Sequence, residues 1–138
     1  MSVIVDTCVW TVFLNPKKPR IADAVEILGR LVQSRETIYL PGIVFQEVLQ
    51  GIKSEKVREQ IAESLKEFRW LEPSADTYRS AAELHCLAKS KGIALGTVDG
   101  LIASQCIESD SYLLTEDKGF QEIIRFSKLR LYPKIRLV

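Results

Sequence analysis

The stretch Val3-Ile4-Val5-Asp6-Thr7-Cys8-Val9-Trp10 decides how the rest of the chain is read. Three consecutive branched aliphatic residues suit a strand covered on both faces, because a strand with one wet face alternates apolar and polar residues. The run stops on an aspartate, and a helical stretch follows at once, reaching Leu14. A buried strand that ends on an acid and passes straight into a helix is a building unit of a parallel α/β fold.

The same alternation continues outward. Further β-rich runs are Thr37-Ile38-Tyr39-Leu40, Tyr112-Leu113-Leu114 and Leu129-Arg130-Leu131, with a last candidate from Ile135 to Val138. Helical periodicity predicts helices near residues 7–14, 21–34, 43–51, 54–68, 75–91, 97–108 and 118–126. Pro41 with Gly42, and Gly92, punctuate the boundaries. The pattern predicts a three-layer α/β/α sandwich around a central, mostly parallel sheet. Between 54 and 91 two helices follow one another without a convincing central strand, which predicts a helical excursion from the sheet. No internal repeat, low-complexity tract or long linker divides the chain, so residues 1–138 read as one domain.

Composition narrows the class. With 138 residues, 46% of them hydrophobic and 27% charged, the chain can bury a core without metals or disulfides. The apolar opening from Met1 to Leu14 carries Asp6, lacks a basic leader and is too short to span a bilayer. It reads as neither signal peptide nor anchor. Cys8, Cys86 and Cys106 are odd in number and far apart among apolar neighbours, which predicts reduced, buried thiols in a cytoplasmic protein. The formal net charge is +1, from 19 Lys and Arg against 18 Asp and Glu. If four of the acids converge on one site, 14 remain elsewhere and the rest of the surface carries +5, which suits a polyanion reached through bound cations.

The position of the acids carries the functional reading. In open parallel sheets, ligand sites form outside the carboxyl ends of the strands. Asp6 directly follows Val5, and Asp117 falls three residues after Leu114, so both should reach the same rim. Taken singly, either could be a loop or N-cap aspartate. On a helical wheel of 97–108, Asp99 falls inside the apolar arc of Val98, Ile102, Ala103, Cys106 and Ile107. Thr97, Ser104, Gln105 and Glu108 take the opposite side. An ionised carboxylate on a buried face is costly unless paired or metal-bound; the alternative is that Asp99 complements the helix dipole from the first turn. Glu47 lies at the edge of the polar arc of its helix, beside Gln46 and Gln50, and by pattern alone reads as a solvated glutamate. Together the acids are hard oxygen ligands of the kind that suit Mg²⁺ or Mn²⁺, and such ions support phosphodiester hydrolysis. His85 is the single histidine, which excludes a pair of imidazoles acting as acid and base within one chain. Midway along a helix, it reads as structural.

At these residues the sequence resembles the PIN-domain family and, within it, the VapC-type toxins of VapBC toxin–antitoxin pairs. The opening strand with Asp6, the segment Pro41-Gly42-Ile43-Val44-Phe45-Gln46-Glu47-Val48, the segment Thr97-Val98-Asp99-Gly100-Leu101-Ile102-Ala103 and the segment Leu113-Leu114-Thr115-Glu116-Asp117-Lys118-Gly119-Phe120 are similar to the family's four acidic motifs, in order. The resemblance implies a metal-dependent endoribonuclease whose acidic site is Asp6, Glu47, Asp99 and Asp117. It makes Asp6 and Asp99 direct ligands of Mg²⁺ or Mn²⁺, Glu47 the group that orients a metal-bound water, and Asp117 a residue that completes the shell or supports a second ion. Thr115 matches a position where a hydroxyl supports the site. The resemblance further implies a VapB-type antitoxin, a homodimer, and RNA rather than DNA as substrate, often structured RNA such as tRNA. Two departures are mild: Cys8 stands where serine or asparagine is frequent, and Gly119 where a second acid is common. The basic loop Asn15-Pro16-Lys17-Lys18-Pro19-Arg20 is a candidate backbone-phosphate contact, but the pattern reads first as a solvated loop.

Two other α/β classes with acids at strand ends fit poorly. A phosphotransfer receiver presents a pair of acids after its first strand, whereas Asp6 stands alone. An aspartate-nucleophile phosphatase wants a second aspartate where Cys8 sits. The competing reading from a different class is a catalytically silent PIN fold that binds RNA or protein.

Overall fold

A computed structural model describes residues 1–15 and 22–133. Five strands form one sheet in the order β3-β2-β1-β4-β5: β1 (Ser2–Val5), β2 (Thr37–Pro41), β3 (Arg69–Leu71), β4 (Tyr112–Leu114) and β5 (Arg130–Leu131). Every pairing is parallel; β1 lies centrally, with Ile4 level with Tyr39 on one side and Leu113 on the other. Central placement explains the continuous aliphatic run, since Val3, Ile4 and Val5 are fully buried.

The helices are α1 (Thr7–Leu14), α2 (Ala22–Gln33), α3 (Gly42–Gln50), α4 (Glu55–Leu65), α5 (Ala75–Ser90), α6 (Thr97–Glu108) and α7 (Gly119–Ile123). The chain steps from β1 to β2 to β3 in one direction and then crosses back to β4 and β5. Right-handed crossovers therefore put α1–α4 on one face and α5–α7 on the other. The packing agrees: α1 touches α2 and α3, α3 touches α4, and α5 lies along α6. This is the expected three-layer sandwich. Its core joins both sheet faces through Trp10, Leu28, Ile102 and Phe120.

Local chemistry fixes the helix starts. Asp6 caps α1, accepting from the Thr7 N–H through its side chain. Ser74 and Thr77 form a reciprocal capping box on α5. Gly92 ends the α5 turn at φ +76°, a conformation that side chains disfavour.

Four expectations change. The stretch between α4 and α5 is not purely helical, because Arg69–Leu71 pairs with Tyr39–Pro41 as an edge strand. It is three residues long and mostly exposed, so it lacks the apolar run that marks the central strands. Ser104 and Gln105, opposite the apolar arc of α6, are buried as well, because α5 packs along α6. The Gln105 side-chain amide donates to the Leu71 carbonyl, tying α6 to the end of β3. The three thiols are free as expected, but only Cys106 is buried; Cys8 and Cys86 are exposed. The final helix is also shorter than the 118–126 expected. The candidate strand Ile135–Val138 and the basic loop beyond Asn15 lie outside the described residues.

Candidate active site

Asp6 sits at the C-terminal end of β1 and is buried. Its backbone N–H donates to the Leu114 carbonyl at 2.9 Å, extending the β1–β4 ladder by one step and fixing the side chain at the rim. Oδ1 accepts from the Thr7 N–H at 2.8 Å, while Oδ2 accepts from the Thr115 hydroxyl at 2.7 Å and lies 3.6 Å from Cys8 Sγ. Burial pushes the carboxyl above its ordinary pKa; the Thr115, Thr7 and Cys8 hydrogen bonds pull it down, and the charge on Asp117 adds a smaller upward push.

Thr115, at the end of β4, is buried and serves two acids at once. Its hydroxyl donates to Asp6 Oδ2 and accepts from the Asp117 N–H at 2.9 Å. Asp117 is exposed, and its Oδ1 accepts from the Gly119 N–H at 2.9 Å in an Asx-type turn. A Cβ at Gly119 would lie 3.2 Å from that same oxygen, so a larger residue there would crowd the carboxylate. The neighbouring Glu116 turns elsewhere, its carboxylate accepting from the Ala24 N–H near the start of α2.

Glu47 is less solvated than its wheel position suggested. It is partly buried on the second turn of α3, and its Oε1 accepts from the Thr7 hydroxyl at 2.7 Å. Thr7 is the site residue that sequence reasoning overlooked. Its one sequence signal is its place directly after Asp6, where the same residue supplies an N–H to one acid and a hydroxyl to another.

Asp99 joins the group from the first turn of α6. It is half-buried, and its carboxyl is pushed from 3.8 to about 6, by burial first and then by the charges of Asp6, Asp117 and Glu47. Asp99 thus feels all three other acids, although they lie 93, 52 and 18 positions away from it. The Cys8 thiol is also raised, by partial desolvation although the residue as a whole is exposed, with the charge of Asp6 adding to the effect. His85 takes no part: its Nδ1 is hydrogen-bonded to the Leu95 carbonyl at 2.7 Å, as a structural histidine would be.

The four carboxylates offer an all-oxygen donor set, and the repulsion of Asp99 by the other three is of the kind that a hard divalent ion would relieve. Among the described residues, no three His, Cys, Asp or Glu side chains are drawn into a ready-made coordination shell. A carboxylate donor set of this kind fits Mg²⁺ or Mn²⁺ better than a softer metal, although the Cys8 thiol lies close to Asp6.

The molecule is thus a parallel α/β/α sandwich in which Asp6, Asp117 and Glu47, near the carboxyl ends of the strands, all act electrostatically on Asp99. The family model named PIN domain matches residues 3–125, and the chain belongs to the PIN-domain family. Solved structures share the fold across nearly the whole length. A chain of the VapBC2 complex from Rickettsia felis, solved with promoter DNA, is 24% identical with a TM-score of 0.76, covering 96% of this chain and 98% of that one. VapBC-1 from nontypeable Haemophilus influenzae is 21% identical with a TM-score of 0.73 and coverages of 96% and 97%. VapC20 from Mycobacterium tuberculosis, described as a sarcin-ricin loop cleaving toxin, is 18% identical with a TM-score of 0.69 and coverages of 93% and 98%. By sequence, no curated relative matches the chain.

Proposed function

We propose that this PIN domain is a metal-dependent endoribonuclease, the toxin of a toxin–antitoxin pair. The observation that carries the proposal is Asp99: its carboxyl is raised to about 6 by burial and by the combined charge of Asp6, Asp117 and Glu47. Strongly perturbed carboxyls in one cluster favour a functional site over a set of unrelated caps.

In this reading Asp6, Asp99 and Asp117 hold Mg²⁺ or Mn²⁺, which would supply charge neutralisation for a phosphodiester and activation of a water nucleophile. The protein's own groups do the positioning. Thr115 and the Thr7 N–H hold both oxygens of Asp6, so that carboxylate meets a ligand without reorganising. Thr7 holds Glu47 Oε1, which leaves Oε2 as the oxygen able to accept a proton from the attacking water. Hydrolysis of this kind leaves a 5′-phosphate and a 3′-hydroxyl. RNA as substrate (structured RNA such as tRNA included), a VapB-type antitoxin that fills the acidic groove, homodimerisation and action in the cytoplasm extend the proposal. They draw support from the relatives, which come from VapBC complexes. No helix among the described residues is long and apolar enough to cross a membrane.

The test is incubation of purified, antitoxin-free protein with total RNA in Mg²⁺, Mn²⁺ or EDTA, with Asp99→Asn as control. Cleavage that needs the ion and the aspartate is the expected result. Full activity in EDTA, or products ending in a 2′,3′-cyclic phosphate, would sink the mechanism. No cleavage under any condition would leave a silent module that binds RNA or protein.

A further inference from the structure

Trp70 is unusual among the large side chains: it lies on the edge strand β3 with its residue 49% exposed, yet it is held on several sides. Its indole N–H donates to the Glu72 carboxylate. Its ring meets Phe45 of α3 edge-on, with centroids 5.3 Å apart and planes at 74°. The six-membered ring lies over Gly42, the first residue of α3, where a Cβ would come within 3.0 Å of it. Such an indole has little rotamer freedom left to lose when something stacks on it.

Its place in the sheet ties it to the acids. Leu40 is level with Trp70 and Tyr39 is level with Ile4, so Trp70 stands level with Val5, one residue short of Asp6. Two strand spacings separate them, about 10 Å at 4.7–4.9 Å per strand. Helix α3 lies between the two, with Phe45 against the indole and Glu47, two residues on and turned to nearly the opposite side, bonded to Thr7 beside Asp6.

We propose that Trp70 is a stacking platform for a nucleobase of the single-stranded RNA whose backbone crosses the acidic site. The inference rests on the RNA-nuclease reading and deepens it. The indole N–H is already occupied by Glu72, so the ring offers its π face and no donor. Recognition is therefore by stacking and tolerant of base identity, as in other single-strand binders. The carboxylate beside it disfavours a phosphate there and leaves the base as the partner. A protein partner fits less well: the exposed Arg69 and Glu72 flank Trp70. Among the described residues the other exposed large apolar side chains, such as Val57, Tyr78 and Leu87, belong to other elements or to the N-terminus. A stable protein contact needs about 800 Å² per partner.

The test uses the full chain in EDTA with a fluorescein-labelled, unstructured single-stranded RNA of mixed sequence. Wild type should bind, and the RNA should quench the emission of the exposed Trp70 while that of the buried Trp10 persists. Trp70→Ala should weaken binding by roughly 5- to 150-fold, the range for loss of one base stack. Trp70→Phe should recover most of it. With Mg²⁺ or Mn²⁺ present, Trp70→Ala should raise KM for RNA cleavage and leave kcat near wild type. No binding by wild type, no quenching, or equal affinity for wild type and Trp70→Ala overturns the proposal, as does a change in self-association with RNA binding unaltered. The quenching arm decides even if Trp70→Ala folds poorly. Normal Trp70-dependent binding without metal-dependent cleavage would support the platform and sink the nuclease reading, so the two failures are distinguishable.

Discussion

Replacing Asp99 by asparagine in metal-free protein should leave it as stable as the wild type or more so, although Asp99 is the acid most bound up with the proposed site. In the folded state its carboxyl titrates near 6 rather than 3.8. A shift of that size corresponds to about 3 kcal/mol of penalty on the ionised form. Solvent reaches the half-buried carboxylate and screens the repulsion, which reduces the penalty to about 1–2 kcal/mol. Asparagine removes it, but also removes a negative charge from the first turn of α6, which costs about 0.3–1 kcal/mol. The net gain runs from zero to about 1.5 kcal/mol, or up to about 5 °C in Tm for a domain of this size. The pH dependence follows from the sign of the shift. The folded pKa lies above the unfolded one, so folded protein binds more protons in between, and wild-type stability rises as pH falls from about 7 toward about 4. Asp99→Asn should lose the share of that rise that Asp99 supplies and keep the share from Asp6, whose carboxyl is also raised. Mg²⁺ or Mn²⁺ at a hundredfold excess over Kd should add about 2.7 kcal/mol to wild type and much less to the variant. Thermal melts in EDTA at pH 7 and 5, with and without the ions, measure all of this. A variant clearly less stable than wild type in EDTA, or a wild-type Tm flat across that range, would refute the reasoning and make Asp99 a structural cap.

Thr115→Val should destabilise the fold by about 1–3 kcal/mol in urea titrations, because Asp6 Oδ2 loses its buried donor and the Asp117 N–H its acceptor. Thr115→Ser should restore most of the loss, and a serine variant no better than valine would mean that packing matters here rather than the hydroxyl. Expressed without a partner protein, wild type should arrest growth while Asp6→Asn at equal protein level should not; equal arrest by both would separate toxicity from the acidic site.

Much of this molecule is legible locally. Val3-Ile4-Val5 announces a strand covered on both faces, and Asp6 and Asp117 fall at one rim because parallel strands point the same way. Helix boundaries follow from caps and from Gly92, which act within a few residues. The strand Arg69–Leu71 is not legible, because an edge strand forms where a neighbour offers a free ladder rather than where its own residues demand one. Ser104 and Gln105 read as a wet face because a wheel registers one covering surface, whereas α6 has two: the sheet and α5. Glu47 carries the same lesson into the site. Periodicity left it at the edge of a polar arc, and only the meeting of α3 with the start of α1 brings the Thr7 hydroxyl to its carboxylate. Local sequence thus determined which residues could be strand ends, caps and acids. Tertiary packing decided which carboxylates share a site, because burial and repulsion depend on neighbours distant in the chain.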